Sequence, residues 1–199
     1  MDGQNKDTLL IMGGEVIKPF TLILTTEQKV RTLHRHNTEP SYSPFSKEKG
    51  VRIHGFAAET AILDWLNCTP KNTKDFDMLW WWFKKQWKLE VKSKQHKFTS
   101  IPSIKWDGSV KVGYDQQFDI ICHCRTEWIN GQLGDKVHVM SFMYKDDWVR
   151  RRIKRKKDEI DPDNGFKYKE DCWNVKYNIG WQPIGVPNPT PQEVCDEYD

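Results

Sequence analysis

The chain has 199 residues, 37% of them hydrophobic and 30% charged, with ten Trp and a formal net charge of +3. That length allows one domain with a substantial core, and so small a net charge excludes an argument for a polyanion partner from global charge alone. No apolar run is long enough to span a bilayer, and the polar start Met1-Asp2-Gly3-Gln4 has no leader pattern, so no membrane partner is expected and the expected location is cytoplasmic.

Residues 1–24 hold two short apolar patches, Thr8-Leu9-Leu10-Ile11-Met12 and Phe20-Thr21-Leu22-Ile23-Leu24, and read as an N-terminal arm. Thr25-Thr26-Glu27 is expected to cap a helix running to about His36, with Val30 and Leu33 on one side. Residues 37–50, rich in Ser, Pro, Asn and Lys, read as a loop. A second helix is expected over 53–67, with an apolar face of Phe56, Thr60, Leu63 and Leu66. On a helical wheel Glu59 falls between Leu63 and Leu66, where a buried carboxylate needs a cation or a hydrogen-bond donor.

Residues 77–83 and 87–93 read as two strands joined by Lys84-Lys85-Gln86. The second alternates, with Trp87, Leu89 and Val91 facing one way and Lys88, Glu90, Lys92 and Lys94 the other. Any short turn sets Asp77 roughly opposite Glu90 to Lys92, on their face. The triple Trp80-Trp81-Trp82 shows no alternation, which predicts a strand covered on both faces, with its rings in the core rather than offered to bases.

Residues 94–114 give only turn signals, at Pro102 and Asp107-Gly108. Residues 118–124 and 137–144 read as buried strands, linked by a loop holding Gly131 and Gly134. Asp146-Asp147 is expected to cap a helix over 148–160, with a narrow apolar stripe (Val149, Ile153, Ile160) and a broad basic face. Residues 172–181 offer a last strand, and 186–199 a Pro-rich acidic tail. The five Cys lack a C-x-x-C pair and read as reduced thiols. In a strand, Cys122 and Cys124 share a face and His123 faces away, so these three cannot close on one ion. The whole predicts an α/β (α+β) fold with a central mixed sheet flanked by helices, as a single domain over 25–185.

Asp77, Glu90, Lys92 and Glu59 form the candidate catalytic set. Phosphodiester hydrolysis needs a deprotonated water, charge stabilisation on the phosphoryl oxygens and a neutralised leaving group, all of which divalent ions supply. Mg²⁺, or Mn²⁺, accepts one or two carboxylates and a carbonyl and keeps several waters. Asp77, Glu90 and the Val91 carbonyl are the expected metal ligands, with Asp75 competing with Asp77. Lys92 is expected to orient the water and stabilise the phosphorane. Glu59 would join through a water or hold Lys92. Glu-x-Lys alone also describes a solvated ion pair; the upstream Asp, the apolar backing and Glu59 set this one apart.

These residues resemble the PD-(D/E)XK nuclease superfamily, through Gly55-Phe56-Ala57-Ala58-Glu59, then Phe76-Asp77, then Leu89-Glu90-Val91-Lys92. The likeness covers about residues 25–185 and is similar to small phage- and virus-type members, with Arg35, Asn37, Phe118-Asp119-Ile120-Ile121 and Trp181-Gln182-Pro183-Ile184 in matching places. The Pro that names the motif is replaced by Phe76. The resemblance implies a restriction-endonuclease-like core, an endo- or exonuclease using Mg²⁺ or Mn²⁺, DNA as the foremost partner, and Arg35 lining the cleft.

From charge alone, Arg150, Arg151, Arg152, Lys154 and Arg155 are candidates for phosphate contact, while nothing is placed to read bases. Two readings compete with the nuclease. One is a nuclease-like module that binds nucleic acid or protein without cutting, and the other is a structural protein whose charges only meet solvent. A homodimer would suit duplex cutting.

Overall fold

The computed structural model describes residues 18–39, 53–98, 100–112, 116–162 and 165–183. The patch at 8–12, most of the loop expected over 37–50 and the tail from 186 lie outside the described residues.

Helix α1 (Thr26–Thr38) starts where the sequence places it. The Thr25 hydroxyl accepts the Gln28 amide N–H while the Gln28 side chain accepts that of Thr25, a reciprocal capping box. Its expected apolar side is not buried, however: Val30 and Leu33 are exposed, and α1 buries Thr32 instead. Helix α2 (Ile53–Trp65) ends two residues early and buries Phe56, Ala57, Ala58, Thr60, Ala61 and Ile62. So much of its circumference is covered that a single stripe misdescribes it.

The main sheet has six strands: β1 (Phe20–Ile23), β2 (Thr69–Pro70), β3 (Met78–Trp82), β4 (Lys85–His96), β6 (Ile120–Ile129) and β7 (Gln132–Tyr144). Their order is β1-β7-β6-β4-β3-β2, antiparallel throughout except for the parallel pair β4 and β6. A smaller sheet is built from β5 (Asp107–Lys111), β8 (Ile153–Arg155) and β9 (Cys172–Lys176), in the order β5-β9-β8. The chain is therefore mixed α/β with a central mixed sheet.

One face of that sheet carries Leu22, Leu89, Val91, Cys122, Val139 and Phe142 against Ala57, Ala61 and Ile62 of α2. The other face is covered mostly by strands, not by helices: Ile121 and Met143 pack on Val110 and Val175 of the small sheet, with Phe118 and Trp148. The parallel link from β4 to β6 runs through β5 instead of the usual crossover helix.

Four local expectations are corrected. The β3–β4 turn is Phe83-Lys84, one residue earlier than expected, with φ of 48° and 58°. Two positive φ values are what a two-residue hairpin turn of this hand requires, and neither residue is the Asn or Gly that normally announces it. Trp80 is buried while Trp81 is 68% exposed, so β3 is not covered on both faces. Asp107-Gly108 begins β5 rather than a turn. Gly108 lies so close to the His123 ring that a Cβ has no room there. The expected Gly131 loop is a two-residue turn, Asn130-Gly131, with φ of 51° and 80°, and Gly134 lies within β7.

The long basic helix is the largest correction. Helix α3 (Lys145–Arg151) has seven residues, and Asp146 and Asp147 sit in its first turn, not at its cap. Val149, Ile153 and Ile160 are all exposed, so no apolar stripe exists to hold a longer helix on the body. The chain turns extended instead, and Ile153, Lys154 and Arg155 pair with Asn174, Trp173 and Cys172. After β9 a short 3-10 turn (Tyr177–Ile179) leads to Trp181, whose backbone exchanges hydrogen bonds of 2.8 and 2.7 Å with Phe142. Among the described residues no helix is long and apolar enough to cross a membrane.

The left-handed backbone at Lys84 costs an L-residue roughly 1–2 kcal/mol that glycine does not pay. Lys84→Gly is therefore expected to stabilise the fold by about 1 kcal/mol, read as a higher urea midpoint with unchanged m.

Candidate active site

The hairpin register decides the site. Met78 pairs with Leu89, and the Asp77 amide donates to the Leu89 carbonyl at 3.1 Å, so Asp77 lies beside Glu90 as expected. The β3 ladder ends at Met78, which leaves β4 from Val91 onward without that neighbour. The Asp77 carboxylate takes over the missing strand's role: its Oδ2 accepts the Val91 amide N–H at 2.7 Å. In a strand the N–H and C=O of one residue point to the same edge, so the Val91 carbonyl faces the same gap.

Glu90 is 1% exposed. One carboxylate oxygen accepts the Lys92 ammonium and, at 2.9 Å, the Gln116 side-chain amide. The other, Oε2, is buried with no hydrogen-bond partner among the described residues. Burial pushes the Glu90 carboxyl up to about 8, with the nearby Asp77 charge adding to it and Lys92 and Gln116 opposing. Burial likewise raises Asp77 to about 7, with repulsion from Glu59 adding and Lys92 and the Val91 amide opposing. For Lys92, burial alone would lower the ammonium, but Glu90 and Asp77 outweigh it and hold it above its usual range.

Glu59 has the partner its wheel position demands, and that partner is Arg35. Arg35 Nη2 donates to Glu59 Oε2 at 2.8 Å, while the same guanidinium binds Glu39 at 2.7 and 3.1 Å and lies over the Phe56 ring at 4.7 Å. Arg35, expected to line the cleft and contact nucleic acid, thus has donors on Glu39 and Glu59. Glu59 is held by Arg35 and does not itself bind Lys92 in a salt bridge. Its carboxyl is raised by burial, with Arg35 opposing. Asp75 is turned away: its Oδ1 accepts the Gln117 amide at 3.4 Å, in a turn fastened by Thr73. Asp77, not Asp75, adjoins Glu90.

The donor set fits a hard divalent ion: two carboxylates, one with an unpartnered oxygen, and a carbonyl on the same edge. Among the described residues no three His, Cys, Asp or Glu side chains gather into a metal cage, so water would have to fill the remaining positions. Cys122 and Cys124 lie side by side, Sγ to Sγ 3.6 Å, on the α2 face with His123 on the other, as their spacing predicts.

The basic candidates separate. Arg152 is sandwiched between the Trp148 and Trp173 rings at 4.7 and 4.2 Å, and Arg155 donates to Glu159 at 2.6 Å. Arg150 is exposed but paired with Asp147, while Arg151 and Lys154 are exposed. Gln116 is a site residue that no sequence signal marks. Its side-chain amide donates to Glu90 and to the Lys74 carbonyl, and its backbone carbonyl accepts Lys145 Nζ at 2.8 Å, tying the start of α3 to the cluster.

No family model matches the chain, and no curated protein sequence matches it.

Because Asp77 and Glu90 have raised carboxyl values, their ionisation works against the fold. Their contribution is full below about pH 4 and is lost as pH rises through about 7 and 8. In EDTA, the Tm is expected to fall by on the order of 5 °C between pH 5.5 and 8.5, and Glu90→Gln to flatten that fall, read by calorimetry.

Proposed function

We propose that this protein is a metal-dependent nuclease that hydrolyses nucleic-acid phosphodiester bonds, DNA foremost, on a restriction-endonuclease-like core. One observation carries the reading: two carboxylates and an ammonium, Asp77, Glu90 and Lys92, meet at the end of a sheet strand, and the buried Glu90 keeps one oxygen unpartnered. A structural salt bridge has no need of that second, repelling carboxylate. A cation site does, because the ion removes the repulsion that raises both groups.

Asp77, Glu90 and the Val91 carbonyl would hold Mg²⁺ or Mn²⁺. Such an ion supplies positive charge to the phosphoryl oxygens and acidity to a water. Lys92 does the remaining electrostatic work. Its ammonium is fixed by Glu90, remains charged through the physiological range and is partly exposed, so it can donate to the attacking water and to the phosphoryl oxygen where charge develops. Glu59 and Arg35 act behind these groups. Arg35 neutralises Glu59 and thereby limits the negative charge that Asp77 must bear. Gln116 fixes the Glu90 oxygen that Lys92 shares.

Further support comes from the parallel pairing of β4 with β6, with α2, the helix that bears Glu59, packed on β4. The same cluster with no bound ion would serve a nucleic-acid-binding module that does not cut, and the metal requirement separates the two.

The test is incubation of the full chain with supercoiled duplex and circular single-stranded DNA in Mg²⁺, Mn²⁺ or EDTA. Cleavage is expected with either ion and none in EDTA, with Lys92→Ala reducing the rate at least about 100-fold. Metal-independent gel shifts without cleavage would replace the nuclease with the binding module.

A further inference from the structure

The β3–β4 hairpin does more than deliver the carboxylates. Opposed residues of an antiparallel pair share a face, so one face carries Trp81 with Gln86, then Leu79 with Lys88, then Asp77 with Glu90. That row leads from the hairpin tip to the carboxylate cluster without leaving the face. Four residues of strand separate Trp81 from Asp77, about 14 Å. Along the way Gln86 and Lys88 are exposed and Leu79 is half-buried, so the row is open. At the tip, Trp81 is 68% and Phe83 65% exposed, and Lys84 lies beside them in the turn.

Trp81 stands bare on this face while Phe83 leans on Trp82 behind it, and the charge around Trp81 says what covers it. Residues 78–89 contain Lys84, Lys85 and Lys88 and no Asp or Glu. Short of Asp77 and Glu90 the row itself carries no carboxylate, and Asp119 beside it accepts the Lys88 backbone amide at 2.9 Å. Planar apolar rings set among ammonium groups match a ligand that has both flat bases and phosphates. In a duplex the bases face one another and cannot cover a side chain, whereas an unpaired strand offers every base face for stacking.

We propose that this hairpin face is a binding track for single-stranded nucleic acid, in which a base stacks on Trp81 at the tip, Lys84 and Lys88 meet phosphates, and the strand runs on toward Asp77 and Glu90. The inference deepens the nuclease reading and rests on it for what happens at the end of the track, while the binding itself is measured separately. Trp80 and Trp82 point to the opposite face and take no part. Their stacking, 4.7 Å between rings, holds the tip in place.

The experiment is fluorescence anisotropy of the full chain in EDTA with a labelled 20-mer of deoxythymidine and with a hairpin duplex of similar charge, each over a salt series. The single strand is expected to bind more tightly than the duplex and to quench tryptophan emission. Trp81→Ala is expected to weaken that binding about 10-fold without changing the Tm. The double variant Lys84→Ala/Lys88→Ala is expected to reduce the salt slope by about 1.4. Equal or tighter duplex binding, or Trp81→Ala binding like wild type, would overturn the track. So would a concentration-dependent dimer that Trp81→Ala abolishes, since a second copy would then be the occupant. Trp81-dependent binding in a protein that cuts nothing upholds the track and removes only the nuclease.

Discussion

Burying the Glu90 carboxylate is the constraint around which the rest is arranged. Removing a carboxylate from water costs several kcal/mol unless charge and hydrogen bonds return it. The alternation of β4 leaves no choice about where that cost falls. Leu89 and Val91 go to the α2 face, so Glu90, Lys92 and Lys94 must enter the opposite face, against which the small sheet packs. That interface is therefore divided. In its β6–β7 half Ile121 and Met143 pack on Val110 and Val175, and the buried His123 ring meets Gly108. Its β4 half is polar, with Glu90 on Lys92 and Gln116, and Lys94 on Asp107, which also receives Tyr168 and Asn174. In the polar half, Glu90 Oε2 and Gln116 Oε1 are buried without a hydrogen-bond partner among the described residues, and in so low a dielectric each is costly to leave so.

The second constraint is where β3 stops. A strand that ends beside a longer neighbour exposes amide and carbonyl groups that need partners. Here the side chain of Asp77, the residue just before β3, accepts one of those amides, at Val91. The same carboxylate thus completes the backbone and stands next to Glu90. A group that did only the first task could be Asn or Ser without repelling its neighbour. An acid at this point costs stability, which is the pattern expected when a site is held for chemistry rather than for the fold.

The alternation of β4 was legible, because period-2 patterning is local, whereas the hairpin register was legible only roughly, since the turn falls on Phe83-Lys84 and not on Lys84-Lys85-Gln86. The cap of α1 was legible for the same local reason. Arg35 as the partner of Glu59 was not, since it comes from another helix and the wheel states a need without naming who meets it. Gln116 gave no signal at all, for it lies in an irregular stretch whose position is set by the crossover through β5. The basic run at 150–157 misled because charge density was read as a helical face. Arg152 between two Trp rings and Arg155 on Glu159 show that part of the charge is internal to the structure. The small sheet was illegible for a simpler reason: β5 opens with Asp-Gly, which locally means a turn, and only the His123 ring across the interface explains why glycine stands there.

The two-residue turn at Phe83-Lys84 puts strain into the hairpin that its rings must offset. Holding two L-residues in left-handed backbone costs roughly 2–4 kcal/mol together. What offsets it lies on the α2 face. Trp82 stacks between Trp80 at 4.7 Å and Trp181 at 5.2 Å, Phe83 leans on Trp82 at 4.6 Å, and the Trp87 indole N–H donates to the Trp82 carbonyl at 3.1 Å. Three ring pairs at about 0.5–1.5 kcal/mol each are of the size required. The Trp triple is therefore divided by its own pleat: Trp80 and Trp82 hold the hairpin, and that hold is what keeps Trp81 fixed in the solvent on the face that carries Asp77 and Glu90.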